Sequence, residues 1–225
     1  FNTISAVYMN NMFQLCKKLE YLNIDNFKTD KVEESEFMFR DCNSLTSLDV
    51  SKFNMTKCKR MWFMFGDCHK LTSIELKNFN SKNVESMANM FQGCSMIKSL
   101  DLSSFSSEAL IFMGHAFGWC TNLESIEFGD NFKTNSVDYM DGLFEGCSSL
   151  KSLDLSKFNT ETVNTCEKMF NGCSSLESLD IRNFKLNDCE NMEYMFNGCS
   201  KLTLLNIPNL DTRKVTNMNS MFKDC

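Results

Sequence analysis

Nine of the 12 cysteines, Cys16, Cys42, Cys68, Cys94, Cys120, Cys147, Cys173, Cys199 and Cys225, follow one another at intervals of 26 residues, with a single interval of 27. A unit so short cannot close a core of its own, so neighbouring units must stack and bury their apolar faces against each other. Aligned on the cysteines, each unit carries Leu or Ile three and six residues on, another apolar residue at eight and usually Phe at eleven. Val, Met, Met and Phe follow at sixteen, nineteen, twenty-two and twenty-three, as in the copy from Cys147 through Phe158 and Val163 to Met169 and Phe170. The one long interval has its extra residue near Gly129, Asp130 and Asn131, just past the strand-like segment, where a coil can bulge without disturbing its neighbours.

Two periods alternate inside each unit. The stretch Leu-x-Ser-Leu-Asp-Leu is short and alternates apolar with polar, which predicts a strand with one buried face. Val84, Met87, Met90, Phe91 and Cys94 stand at spacings that define one face of a helix. A parallel strand, a crossover helix and the next parallel strand normally wind right-handed. The expectation is therefore an α/β chain with a concave parallel sheet and helices on the convex side, residues 1–225 forming one domain of about eight repeats plus a partial one. Phe1-Asn2-Thr3 matches the Phe-Asn-Thr that follows a strand, and Cys225 immediately precedes the next expected strand. Both ends thus cut through a repeat, which predicts an internal segment of a longer protein.

Leu150-x-x-Leu153-x-Leu155, with Leu45-x-x-Leu48-x-Val50 and Leu176-x-x-Leu179-x-Ile181, resembles the strand of a leucine-rich repeat, and the whole is expected to be a right-handed leucine-rich-repeat solenoid. More narrowly, Met90-Phe91-Gln-Gly-Cys94, Met169-Phe170-Asn-Gly-Cys173 and Met195-Phe196-Asn-Gly-Cys199 resemble the BspA-like leucine-rich-repeat surface proteins. That resemblance spans the chain and implies a cell-surface or secreted protein used in adhesion and in binding host proteins. The chain departs from the ordinary repeat at Phe53, Phe79, Phe105 and Phe158, which replace the usual buried Asn or Cys. A phenylalanine spine is expected there, with the turn carbonyls satisfied by other groups.

The net charge of -6 and pI near 5.1 disfavour nucleic acid and anionic membrane as partners, because a phosphate-binding surface needs clustered Lys and Arg. No apolar run is long enough to span a bilayer. The cysteines recur once per unit rather than in close pairs, so they read as buried thiols, not zinc ligands, and Cys58, Cys166 and Cys189 occupy Val or Met slots. Met87, Met90, Met169, Met192, Met195, Met218 and Met221 read as core. Only His69 and His115 are available for acid–base work, in non-adjacent units, and no nucleophile, phosphate-loop or zinc-protease motif occurs, so no enzyme and no cofactor are expected. Each histidine reads as a surface variant. One glycosylation sequon occurs, at Asn54-Met55-Thr56.

Two surfaces stand out. Asp49, Glu75, Asp101, Glu127, Asp154 and Asp180 form a column on the outward side of the strands, flanked by Asn23 and Asn206. Such a stripe would steer a basic partner segment or divalent cations; the alternative is a solvated face relieved by Lys98, Lys151 and salt. On the convex side Phe37, Trp62, Phe63, Ile111, Phe112 and Trp119 occupy positions that are polar in the C-terminal units, where Glu167, Lys168, Glu190 and Glu193 stand. Clustered exposed aromatics mark a contact site. The functional expectation is a non-catalytic module binding a protein partner of the host or a neighbouring cell, the alternative being a structural segment of a larger, intracellular assembly.

Overall fold

Alternation of apolar and polar residues does produce strands. The computed structural model describes residues 2–207 and 210–225; Phe1, the first residue of the opening Phe-Asn-Thr, lies outside the described residues. Among the described residues there are six short strands: β1 (Ser47–Asp49), β2 (Ser73–Glu75), β3 (Ser99–Leu102), β4 (Ser125–Phe128), β5 (Ser178–Asp180) and β6 (Leu204–Asn206). They form three parallel pairs, β1 with β2, β3 with β4 and β5 with β6, setting Leu48 against Ile74, Leu100 against Ile126 and Leu179 against Leu205. The coil between the second and third pairs has no strand, yet Glu177 N–H still donates to Lys151 C=O at 3.0 Å. One side chain in two points inward, so Leu48, Leu100 and Leu179 are buried while Asp49, Asp101 and Asp180 face water.

The expected α/β class is overturned on the other side of the coil, because no helix occurs among the described residues. Isolated parallel bridges run there instead, from Tyr8 to Glu34, Arg60, Ser86, Phe112, Tyr139, Thr165, Asn191 and Asn217, joining each coil to the next. Beside this bridge line the backbone alternates its donors. In one coil Met61, Phe63, Phe65 and Asp67 donate to Ser86, Ala88, Met90 and Gln92 of the next, while Met64 and Gly66 bond back three residues to Met61 and Phe63. Every second N–H group therefore serves the stack, and groups between them close single turns. Left-handed residues enforce the alternation: five residues and one residue before each cysteine φ is positive, as at Phe63 (53°), Asp67 (58°), Asn89 (58°) and Gly93 (73°). A continuous α-helix cannot pass through such positions. The glycine of Met-Phe-x-Gly-Cys suits this position because it adopts the region without steric cost, whereas Leu15, Asp41, Asp67, Trp119 and Asp224 hold the same conformation at the cost a side chain adds. Successive three-residue turns reproduce the apolar spacing of a helix, which explains why Val84, Met87, Met90, Phe91 and Cys94 are buried although no helix carries them.

Stacking identical coils converts each buried position into a ladder. The phenylalanine three residues before each cysteine forms an unbroken pile from Phe13 through Phe39, Phe65, Phe91, Phe117, Phe144, Phe170 and Phe196 to Phe222, with centroids 5.3–6.1 Å apart. Near-parallel rings at this separation add about 0.5–1.5 kcal/mol per pair beyond the area they bury. The expected spine at Phe53, Phe79, Phe105 and Phe158 is also buried, with Phe79 and Phe105 5.2 Å apart. The cysteines are more than small hydrophobes. Cys68, Cys94, Cys120 and Cys147 each donate a thiol hydrogen bond of 3.1 Å to the carbonyl of the preceding coil's phenylalanine, Phe39, Phe65, Phe91 and Phe117. Burial pushes the Cys68 and Cys120 thiols up to about 12.

The turn after each strand is closed by a hydroxyl ladder. Thr134 Oγ1 accepts the Asn159 N–H and donates to the Asn159 carbonyl, both at 2.7 Å, and Thr29, Ser81 and Ser107 repeat the arrangement toward Asn54, Ser106 and Lys133. These hydroxyls are the groups that take over from the missing asparagine ladder. At the long interval Gly129 lies so close to the Ser103 carbonyl that a Cβ would collide with it, and the inserted Asp130 projects outward to meet Lys157 Nζ at 2.8 Å. Met218, expected in the core, is exposed in the last coil, whereas Met87, Met90, Met169, Met192 and Met195 are buried.

Candidate functional site

The bridge line decides which side chains reach solvent on this face. Its members, with those two and three residues further on, form three neighbouring columns, which in the N-terminal coils carry Tyr8, Phe37, Trp62, Phe63 and Phe112 among polar and small residues. Phe37 stacks on Phe63 at 5.6 Å and 12°, and Trp62 leans on both at 5.3 and 5.8 Å. The Arg40 guanidinium lies 4.5 Å above the Phe63 centroid and 5.6 Å from that of Phe37. Its Nε also donates to Asp67 Oδ2 at 3.2 Å, which fixes the side chain over the rings. Phe37 and Phe63 are half-buried by this packing, whereas Trp62 remains 42% exposed.

Phe112, also 42% exposed, stacks on Tyr139 at 5.2 Å rather than on the first cluster. Between Trp62 and Phe112 the intervening coil presents only Ser86, Ala88 and Asn89, so a groove of about 410 Å³ opens there, with Glu36, Arg60 and Glu85 at its rim. Arg60 is held by Glu34 at 3.3 Å and Glu85 by Lys59 at 3.1 Å. The structure therefore brings Phe37, Trp62 and Phe63 together and sets Phe112 across a groove from them. It does not gather the other two residues expected in this patch. Ile111 is half-buried and offers its carbonyl to Asp138, and Trp119 is exposed on a separate flank, against Gly146.

A polar network continues the same face toward the C-terminus. Asn197 Nδ2 donates to Asn171 Oδ1 at 2.7 Å, and Asn171 Nδ2 to Glu145 Oε1 at 2.9 Å. Glu145 Oε2 and Asp141 Oδ2 stand 3.3 Å from the two ring nitrogens of His115. The bond to Asp141, then that to Glu145, raises the imidazole pKa to about 9 against the opposing effect of burial. His115 is thus a clamped cation and not a surface variant. The signal was present in the repeat: Asp141 is one coil past His115, and Gly142 leaves the space that the ring fills. His69, the other histidine, is exposed and pairs Nδ1 with the Gly93 carbonyl at 2.8 Å.

The acidic column lies where expected, with Asp49, Glu75, Asp101, Glu127, Asp154 and Asp180 exposed and Asp49 beside Glu75, Asp101 beside Glu127. Most of these carboxylates have a local task. Asp49, Glu75, Asp101, Asp154 and Asp180 accept the N–H two residues on, at 2.8–3.1 Å, closing the turn that ends the strand segment. Hydrogen bonds from Ser51, Ser103 and Ser156 hold Asp49, Asp101 and Asp154 below the usual carboxylate range. Lys98 pairs with Glu124 at 3.7 Å and not with the column. Among the described residues no three His, Cys, Asp or Glu side chains converge as metal ligands would, and no helix is long and apolar enough to cross a membrane.

A family model described as "Mycoplasma protein of unknown function, DUF285" matches residues 1–105 and 111–225. The comparison with curated proteins gives no match. Among solved structures, the chain is similar to a leucine-rich repeat protein of T. pallidum (19% identity, TM-score 0.39, 80% of this chain and 65% of that one), and so spans less than two thirds of that protein. It is also similar to a leucine-rich repeat protein of Bacteroides ovatus (19%, TM-score 0.35, 99% and 75%). A leucine rich cell surface protein of Faecalibacterium prausnitzii gives 16% identity and a TM-score of 0.45 over 90% and 69% of the two chains.

Proposed function

The chain belongs to the DUF285 family of Mycoplasma proteins of unknown function, and on that premise we propose that it is a non-catalytic protein-binding repeat module displayed at the cell surface or secreted. One observation carries the reading: the exposed rings of Trp62 and Phe112 stand on the bridge face in columns that the last three coils fill with Glu167, Glu193 and Asn219 and with Thr165, Asn191 and Asn217. Trp62 and Phe112, each 42% exposed, forgo the corresponding part of the roughly 1.5–3 kcal/mol that full burial of a large apolar side chain contributes. A binding partner would recover that energy. The exposed carboxylates on the strand side would add long-range attraction for a basic partner and would raise the rate of encounter more than the affinity.

The test has two arms. Protease treatment of intact cells that produce the protein should cleave it, and the wild-type chain should capture a partner that Trp62→Ala with Phe63→Ser does not. A protease-protected protein would sink the surface assignment. Capture with unchanged stoichiometry by the double variant would sink the use of this face; a protected protein whose fixed partners are lost in that variant would point to a segment packed within a larger assembly.

A further inference from the structure

The groove between Trp62 and Phe112 has the dimensions and the charge of a seat for a cationic side chain. Trp62 belongs to the coil of Cys68 and Phe112 to that of Cys120, with the coil of Cys94 between them. Coils bridged like parallel strands stand about 4.8 Å apart, so the two walls lie roughly 10 Å apart along the stack. Trp62 stands two residues beyond the bridge line that carries Phe112, so a cation resting against the Trp62 face lies inside the ~6 Å over which an aromatic ring attracts it, with Phe112 as the far wall. Ser86 and Ala88 keep the floor low, and the volume of about 410 Å³ admits a side chain together with its flanking backbone.

The rim supplies the counter-charge. Glu36 forms no ion pair among the described residues, although Glu34, Arg60 and Glu85 close by belong to pairs. Burial first, and the neighbouring Glu34 second, raise its pKa, with Arg60 offsetting them in part. It is a carboxylate short of a partner. Beside the groove, Arg40 already rests over Phe63 and Phe37, so this face accommodates a cation on aromatic rings within the chain itself.

We propose that the groove lined by Trp62, Ala88 and Phe112 binds an alkylammonium group, the side chain of a lysine on a partner protein. The aliphatic stem packs against Trp62 and the ammonium sits between the rings and the Glu36 carboxylate. A compact ammonium can approach the Glu36 carboxylate while its stem lies along the groove, whereas a guanidinium plate stacks flat on a single ring face. The inference rests on the reading of this face as a partner-binding surface and names the chemistry it recognises.

The experiment uses the full chain labelled with 15N and a probe peptide, acetyl-Gly-Gly-Lys-Gly-Gly-amide, against its norleucine counterpart. The two indole N–H signals are assigned with Trp62→Phe. The lysine peptide should shift the Trp62 signal saturably, with Kd on the order of 1 mM, as a single side chain warrants. Norleucine should bind at least about fivefold more weakly, and Glu36→Gln should weaken lysine binding about three- to tenfold. Equal binding of the two peptides, an unaffected affinity in Glu36→Gln, or no shift of Trp62 would each overturn the proposal. If the lysine peptide fails while Trp62→Ala with Phe63→Ser still loses the partner, the ammonium seat is wrong and the surface reading stands. If the peptide binds and partner capture ignores the double variant, the seat stands and the surface reading falls.

Discussion

Thr134→Val tests whether the hydroxyl ladder holds the coils together. The substitution preserves shape and removes one oxygen that serves two bonds of 2.7 Å, one from the Asn159 N–H and one to the Asn159 carbonyl. Thr134 is 0% exposed, so water cannot replace the hydroxyl from that side. Leaving a buried backbone group unpaired costs about 1–3 kcal/mol, so two groups set an upper bound near 6. Asn159 is only half-buried, which lets solvent reach part of what is lost. Met55 and Leu186 already occupy the same column, so the stack survives an apolar occupant there. The expected cost is therefore toward the lower end, roughly 2–3 kcal/mol, or a fall of about 4–12 °C in Tm for a chain of this size. Stacked repeats need not unfold in one step, so the decisive assay is amide hydrogen exchange at Asn159, read beside thermal unfolding. Exchange at Asn159 should accelerate on the order of tenfold or more in Thr134→Val and stay near the wild-type rate in Thr134→Ser, which keeps the hydroxyl. Unchanged exchange in the valine variant would refute the ladder as a source of stability.

Three further outcomes follow from the geometry. Gly146 and Gly172 share a left-handed φ of 71° and 74°, but a Cβ on Gly146 would meet Trp119 at 2.6 Å while one on Gly172 has ordinary clearance. Gly172→Ala should cost about 1–2 kcal/mol and Gly146→Ala more, the excess vanishing in a Trp119→Ala background when unfolding is measured across the double-mutant cycle. The folded-state pKa of His115 is raised from 6.5 to about 9, so its stabilising contribution is complete below pH 6.5 and is lost as pH rises through 9. Asp141 and Glu145 have lowered values, so their contributions are lost as pH falls through the acid range. Thermal melts should show an alkaline decline that His115→Gln removes, and a decline shared equally by that variant would contradict the clamp. Finally, of the 12 thiols only the exposed Cys225 and the half-buried Cys16 should react rapidly with a disulfide reagent at pH 8, the others waiting for unfolding; prompt labelling of Cys94 would count against its burial.

How much of this was legible in the sequence depends on what each residue type reports. The interval between cysteines reports stacking directly, and the apolar columns report burial, as the buried Val84, Met87, Met90 and Phe91 illustrate. Periodicity does not report which carbonyl an N–H will choose. Apolar residues three and four apart suit a helix and a string of three-residue turns equally well. The glycines before Cys94, Cys147, Cys173 and Cys199 pointed to turns, but Asp67 and Trp119 in the same column masked the requirement for positive φ. The aromatic patch was legible as residues and not as a shape. Exposure of Trp62 and Phe112 followed from their columns, whereas the groove between them exists because Ser86 and Ala88 are small. The His115 clamp was hidden for a different reason: its partners lie a coil away, invisible to any short window.

The alternation of backbone donors beside the bridge line also sets a rule for how such a chain can change length. Each coil lends half of its N–H groups in that stretch to the carbonyls of the next, and it accepts the same number from the one before. Excising one complete 26-residue period rejoins every ladder in register, phenylalanine to phenylalanine and hydroxyl to turn. Excising half a period would put bridge residues opposite strand residues and leave both sets of donors unanswered. Whole-coil duplication or loss is thus the length change that the backbone tolerates, and the exposed faces of the stack can be lengthened or shortened in those increments without redesigning the scaffold.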